Sequence, residues 1–274
     1  MMSMEEKMLS IYVSSYDGAE DLWQTFFDIF FTYWRECEYD IYLINNEKKF
    51  KYEKKEIKTV PMVIHTGVEI NWFYRTIQSL KKIKTKYVLF MLEDYYYSRK
   101  QYNEEYEKII SFMEEHNAWF YQLTNKPEIK MKINGVVKIA NDINYPVNLQ
   151  PAVWNREKLI KVLEEIDGVT PWDFELYFKK NSEVGDGSYI PGAYYDDRDI
   201  MGYKNGVLRG RWIRSTIEFY KKRGIKIYTG ERERLSRWKE FKFWCAGKMS
   251  TKLSAKEKRV IKRLLSIIKF KYLE

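Results

Sequence analysis

Apolar side chains recur along this chain with two periods, and the periods alternate. Residues 9–15 and 40–46 are short apolar runs of strand type. Residues 20–34 instead carry Leu22, Trp23, Phe26, Phe27, Phe30, Phe31 and Trp34 at the three- and four-residue spacing of a helix face. The pattern then predicts a helix over 71–84, a strand running into Glu93, a helix over 102–116 with Tyr106, Ile109, Ile110 and Met113 on one face, and a strand over 118–123. Strands alternating with helices in this way imply an α/β fold, a mainly parallel sheet flanked by helices.

The run Tyr87-Val88-Leu89-Phe90-Met91-Leu92 is apolar at every position, as suits a strand covered on both faces, and it leads into Glu93-Asp94. Open α/β sheets bind ligands beyond the carboxyl ends of their strands, which puts this acid pair at a crevice. Adjacent carboxylates repel each other and are best tolerated when a hard divalent cation, Mg²⁺ or Mn²⁺, shares them with a phosphate-bearing substrate. The plain alternative is a solvated turn after a core strand.

Two more segments carry candidate chemistry. Ser14-Ser15-Tyr16-Asp17-Gly18 joins the first strand to the first helix and offers hydroxyl and N–H groups to a nucleotide or phosphate, although Ser, Asp and Gly are also ordinary turn residues. In Thr170-Pro171-Trp172-Asp173-Phe174-Glu175, Thr170 is a good N-cap, Pro171 suits the first helical position, and Asp173 falls third, where a carboxylate reaches back to the cap. A carboxylate on the first turn of a helix at a crevice is equally well placed as a general base. Spacing leaves both roles open. Gly, Asp and Tyr then collect in residues 185–206, which predicts a long surface loop, of the kind that closes as a lid.

Composition narrows the classes. With 274 residues, 45% of them apolar, the chain can bury the core of one large domain with an appendage, expected here as 1–230 and a basic helical extension over 231–274. The 23 Tyr and nine Trp exceed the needs of a core and point to stacking surfaces for bases or sugars. Two Cys and two His exclude a disulfide framework and a Cys/His zinc site, and fit a reducing cytosol. There is no run of 18 apolar residues and no basic-then-apolar leader, so a cytoplasmic, non-spanning protein is expected. No G-x-G-x-x-G follows a strand and no P-loop or Ser-His-Asp elbow is present, which disfavours dinucleotide binding, P-loop ATPases and serine hydrolases.

The net charge of +9 is unevenly spread. Residues 204–274 hold 22 Lys and Arg against six Asp and Glu, whereas residues 1–203 hold 26 against 33, so an acidic body carries a basic tail directed at phosphates. Ser254-Ala255-Lys256-Glu257 is a capping box opening a helix with Val260, Ile261, Leu264, Leu265 and Ile268 on one face and basic residues beside it. Such a helix over 254–274 could lie on an anionic membrane, or pack on the body or on a second subunit, which leaves a homo-oligomer open.

In chain order, the Ser-Ser-Tyr-Asp loop, the strand ending Asn45-Asn46, the helix with Trp72 and Arg75, the strand ending Leu92-Glu93-Asp94-Tyr95, the segment Asn148-Leu149-Gln150-Pro151-Ala152-Val153-Trp154, and Trp172-Asp173-Phe174-Glu175 together resemble the GT-A-fold glycosyltransferases of bacterial surface polysaccharide synthesis, over most of residues 9–230. The resemblance implies transfer of a sugar from a nucleoside-diphosphate sugar to a hydroxyl of a saccharide or lipid-linked acceptor, with inversion. Glu93 and Asp94 stand where that family has its DxD motif and would hold Mn²⁺ or Mg²⁺ against the diphosphate, Asp94 foremost; this chain has Glu-Asp-Tyr and no true Asp-x-Asp. Asp173, or failing it Glu175, would be the base. Ser14, Ser15, Tyr16 and Asn45 would hold the nucleotide, with Trp72 and Arg75 approaching the donor and Arg211 neutralising the departing diphosphate. Tyr95, Gln150, Trp154 and Trp172 would face the acceptor. A peripheral enzyme on the cytoplasmic side of the membrane follows.

Three other readings compete. A nucleotidyltransferase making the sugar nucleotide would share the acid pair, but its first loop should be rich in Gly and basic residues, and residues 14–18 contain no Lys or Arg. A nucleic-acid-binding protein would explain the tail and the aromatics, yet the acidic body would repel a polyanion, so no nucleic-acid partner is expected. A non-catalytic membrane adaptor leaves the acids unexplained.

Overall fold

A computed structural model describes residues 7–61, 71–124, 132–133 and 135–243 of the chain. In order the elements are β1 (Leu9–Ser14), α1 (Glu20–Tyr33), β2 (Asp40–Asn45), β3 (Lys58–Pro61), α2 (Trp72–Lys81), β4 (Tyr87–Leu92), β5 (Tyr95–Tyr96), α3 (Asn103–Glu115), β6 (Phe120–Gln122), β7 (Lys132–Ile133), β8 (Val136–Ala140), β9 (Ala152–Asn155), α4 (Arg156–Glu165), α5 (Pro171–Ser182), β10 (Tyr189–Asp196), β11 (Lys204–Asn205), β12 (Val207–Leu208), β13 (Arg211–Trp212) and α6 (Arg214–Lys221). The seven elements expected from periodicity up to residue 123 are all present, with ends within a few residues of the expected ones. The tail helix expected at 254–274 lies outside the described residues.

Nine strands form one mixed sheet in the order β3-β2-β1-β4-β9-β6-β10-β8-β7. The first four are mutually parallel, β9 runs antiparallel to both β4 and β6, and β10 is parallel to β6. Every residue of β1 is buried, and so is β4 from Tyr87 to Met91, as their unbroken apolar runs require. α1 buries Leu22, Trp23, Phe26, Phe27, Ile29 and Phe30. Each such side chain gains about 1.5–3 kcal/mol on leaving water. Pairing places Ser14 opposite both Ile44 and Leu92, so β1, β2 and β4 finish level and their following loops emerge side by side.

The loop expected at 185–206 is a correction: residues 189–196 form a full strand between β6 and β8. Ala193 to Asp196 are buried, and the Gly-Pro punctuation serves a close approach instead of a turn. Gly192 has φ +72°, and a Cβ there would stand 2.8 Å from Asn117 O and from Trp119 Cδ1. Asp196, fully buried, accepts from the Tyr121 hydroxyl at 2.6 Å and from Arg198 Nη2 at 2.6 Å. Asp196→Ala would leave the buried Tyr121 hydroxyl without its acceptor and cut the Arg198 guanidinium back to Glu105, 2.8 Å from its Nη2. It should cost about 3 kcal/mol, read as a lower urea midpoint at unchanged slope.

The chain divides into compact units after Asn205, upstream of the boundary expected at residue 230. In the second unit Trp212 is the reason. Its N–H donates to Glu233 O at 2.8 Å, its indole to Thr229 O at 2.9 Å, and its carbonyl accepts from Leu235 N–H at 2.9 Å, so a cut at 230 would sever one cluster. Among the described residues no helix is long and apolar enough to cross a membrane.

Candidate active site

The site is assembled where β1, β2 and β4 end together in the first unit. Asp17 ties the first two loops into one piece. Its carboxylate accepts from the backbone N–H of Asn46 at 3.0 Å, of Glu47 at 3.1 Å and of Lys48 at 3.3 Å, and its own N–H donates to Asn46 Oδ1 at 3.1 Å. Neither Asp17 nor Asn46 stood among the expected site residues. The available signal was an Asp three residues after a strand end, the residue type that gathers nearby backbone N–H groups.

Several expected ligand contacts turn out to be framework. Ser15 Oγ accepts from the Trp23 indole at 2.8 Å and Ser14 Oγ lies 3.4 Å from that of Trp72, and both serines are buried. Trp72 is itself in the core, edge-on to Phe73, Phe90 and Phe174. Asn45 is fully buried, and its amide donates to Lys48 O to shape the second loop. Tyr16 stays about half exposed over Gly18. Trp154 is a correction: it is fully buried against Phe120, with ring centroids 4.5 Å apart, and has no surface to offer an acceptor.

Arg75 sits on the second turn of α2, just past the start that Asn71 caps. Its guanidinium is largely buried, and that desolvation lowers its pKa; Tyr12, Glu93 and Asp17 supply the opposing negative field. Its one hydrogen bond among the described residues, to Asn46 Oδ1, is a long 3.5 Å. A cation held this dry with one weak acceptor is well disposed toward an anionic ligand.

Glu93 and Asp94 form the two-residue turn between β4 and β5, each half-buried. β5 pairs with β11, setting Tyr95 opposite Asn205, and the Tyr95 and Tyr203 rings lie 5.2 Å apart. Burial, and then Asp94, drive both phenols far above their ordinary range, with Glu175 contributing to each. These hydroxyls therefore stay protonated. Tyr95 is mostly enclosed, leaving little more than an edge for a ligand.

The two acids of α5 have opposite surroundings. Asp173 Oδ2 accepts from Thr170 N–H at 2.7 Å, Val169 N–H at 3.0 Å and the Thr170 hydroxyl at 2.8 Å, the capping box expected from Thr-Pro-Trp-Asp. Those donors hold its carboxyl below its ordinary value. Glu175 faces inward. Burial raises its pKa, and the one group opposing that is Leu149 N–H, 3.4 Å from Oε1. The loop that delivers this N–H is braced by Asn148, whose amide donates to Gln122 Oε1 at 3.1 Å and whose Oδ1 takes Gln150 N–H at 2.9 Å. Trp172 is 71% exposed on the first turn of the same helix. Arg211 belongs to the second unit, where its Nε donates to Glu233 Oε2 at 2.9 Å.

Among the described residues no group of three or more His, Cys, Asp or Glu converges as a metal site. Glu93 and Asp94 could give one or two ligands, which fits a hard cation whose remaining positions go to phosphate oxygens and water. Two clefts of about 420 and 520 Å³, one around Trp119 and one around Cys37, contain none of these residues.

No family model matches the chain, and no curated protein matches it. Among solved structures it is similar to Staphylococcus aureus TarS 1-349, at 13% identity over 69% of this chain and 60% of that one, with a TM-score of 0.40. The same protein in complex with UDP-GlcNAc aligns at 14% identity over 69% and 58%, with a TM-score of 0.39. Its complex with UDP aligns at 13% over 69% and 60%, also at 0.39. The chain thus spans about three fifths of the TarS 1-349 chain, and a likeness this shallow transfers no activity.

Proposed function

We propose that the first unit is a glycosyltransferase that takes a sugar from a nucleoside-diphosphate donor and passes it to a hydroxyl of a saccharide or lipid-linked saccharide, with inversion, and that Glu175 is its base. The observation that carries the reading is the gathering of opposite charges beyond the level ends of β1, β2 and β4. A largely desolvated Arg75 cation lies in the field of Glu93, and the adjacent Tyr95 and Tyr203 rings each lie in the fields of both Asp94 and Glu175, a buried carboxyl of raised pKa.

Each group has a task in such a transfer. Arg75 binds the diphosphate and offsets the negative charge that builds on it as the anomeric C–O bond breaks. The acceptor O–H gives its proton to Glu175 while its oxygen attacks the anomeric carbon from the opposite side, and the nucleoside diphosphate departs with the bonding electron pair. Tyr95 and Tyr203, kept protonated, add neutral O–H groups beside Asp94 and Glu175 and no further negative charge. The loop pair locked by Asp17 gives the nucleotide a preformed rim at low ordering cost. Glu93 and Asp94 would hold a divalent cation against the diphosphate; such a cation supplies Lewis-acid stabilisation of the leaving group. Asp173 is left to its cap.

A panel of sugar nucleotides, free nucleoside diphosphates, sugar phosphates with nucleoside triphosphates, and oligonucleotides tests the class. The donor or its diphosphate should raise the melting temperature, and the others should not. A rise with sugar phosphate and triphosphate instead would indicate sugar-nucleotide synthesis. Arg75→Gln should raise the donor KM by about 10- to 100-fold with a smaller effect on kcat, as loss of a charge-assisted contact to bound diphosphate requires. An unchanged KM would remove Arg75 from the site.

A further inference from the structure

Residues 237–243 are helical in the second unit, and one contact fixes which way that helix faces. The Glu240 carboxylate accepts from the backbone N–H groups of Arg214 at 3.1 Å and Ser215 at 3.0 Å, the open amino end of α6. Arg214 Nε, in return, donates to Leu235 O at 2.6 Å. Ser236 opens the helix, its Oγ accepting from Lys239 N–H at 3.3 Å. With Glu240 turned onto α6, a rotation of about 100° per residue brings Arg237, Phe241, Trp238 and Lys242 in that angular order onto the outward arc.

That arc is an aromatic pair between two cations. Trp238 is 63% and Phe241 52% exposed, with rings stacked at 5.9 Å. The Lys242 ammonium lies 5.3 Å from the Trp238 ring centre. Residues 206–243 together carry 12 Lys and Arg against four Asp and Glu, so the surroundings are basic as well.

We propose that this arc is an interfacial anchor for an anionic lipid surface, independent of the segment at 254–274. Exposed Trp and Phe side by side are unfavourable in water and settle at the head-group boundary of a bilayer, where the flanking Arg237 and Lys242 meet lipid phosphates. A nucleic acid fits the same charge less well. Base stacking needs free ring faces, and here Phe241 stacks against Trp238 while the Lys242 ammonium lies 5.3 Å from the same ring centre, so neighbours compete with a base for that ring.

The test is co-sedimentation of the full chain with phosphatidylcholine vesicles with and without about one third phosphatidylglycerol, for the wild type, Trp238→Ser/Phe241→Ser and Arg237→Gln/Lys242→Gln. Wild type should bind only the anionic vesicles, and less at high salt. Each double variant should bind roughly tenfold more weakly, at an unchanged melting temperature since the arc faces outward. Absence of vesicle binding, wild-type binding by the aromatic variant, or release from vesicles by a short single-stranded oligonucleotide would each overturn the proposal. The second of these would place the anchor elsewhere, and the third would make the arc a nucleic-acid surface.

Discussion

Replacing Asp94 by Asn should lower glycosyl transfer by about 10³-fold while the protein melts within a few degrees of the wild type. The reason is position. Asp94 follows the buried strand β4 in a two-residue turn, so its carboxylate lies past the strand's end and outside the apolar core of the sheet. The same substitution should abolish any additional rise in melting temperature that Mg²⁺ or Mn²⁺ gives in the presence of nucleoside diphosphate. An Asp94→Asn protein that melts much lower yet keeps its specific activity would reverse the assignment, making the acid pair a structural turn.

Glu175→Gln should lower kcat by at least about 10²-fold with donor binding nearly intact, because the amide cannot take the acceptor proton. In the wild type, turnover should rise with pH through the raised pKa of Glu175, and this limb should disappear in the variant. Stability should move the other way. The fold favours the protonated acid, so the stability this gives is fully present below the ordinary value of 4.5 and is lost as pH climbs through the raised one. Glu175→Gln escapes that loss and should melt at least as high as the wild type near neutral pH. Asp173→Asn provides the contrast, with a lower melting temperature from a weakened cap and kcat within about tenfold. The opposite ranking of the two variants, or a product that retains anomeric configuration, would refute Glu175 as the base.

What could be read from the chain beforehand follows from burial. β1 and β4 were legible because strands covered on both faces must be apolar throughout, and α1 because its aromatic stripe keeps helical spacing. β10 was not, because its Gly192, Pro191 and Asp196 are residues of turns by type. Only the fold shows that Gly192 is there for a close approach and that Asp196 is sealed beneath Tyr121 and Arg198. Aromatic residues were ambiguous in the same way: Trp154 and Trp72 fill the core, while Trp172 and Trp238 are bare, and nothing local in the sequence separates them. Asp173 and Glu175 lie two residues apart on a helix, about 200° around its axis, so one must face the cap and the other the crevice. Which one points inward is decided by the loop at Leu149, far away in sequence.

The division after Asn205 has a consequence for how the protein is made. All nine strands of the large sheet, and Arg75, Glu93, Asp94 and Glu175 with them, precede that point. Long-range pairings such as β4 with β9 and β6 with β10 make this sheet slow to close, and incompletely paired strands are exposed to aggregation meanwhile. At about 5–20 residues per second, the ribosome needs several seconds more to add the second unit. The large sheet therefore has time to seal its edges before the basic, aromatic surface of the second unit has been synthesised.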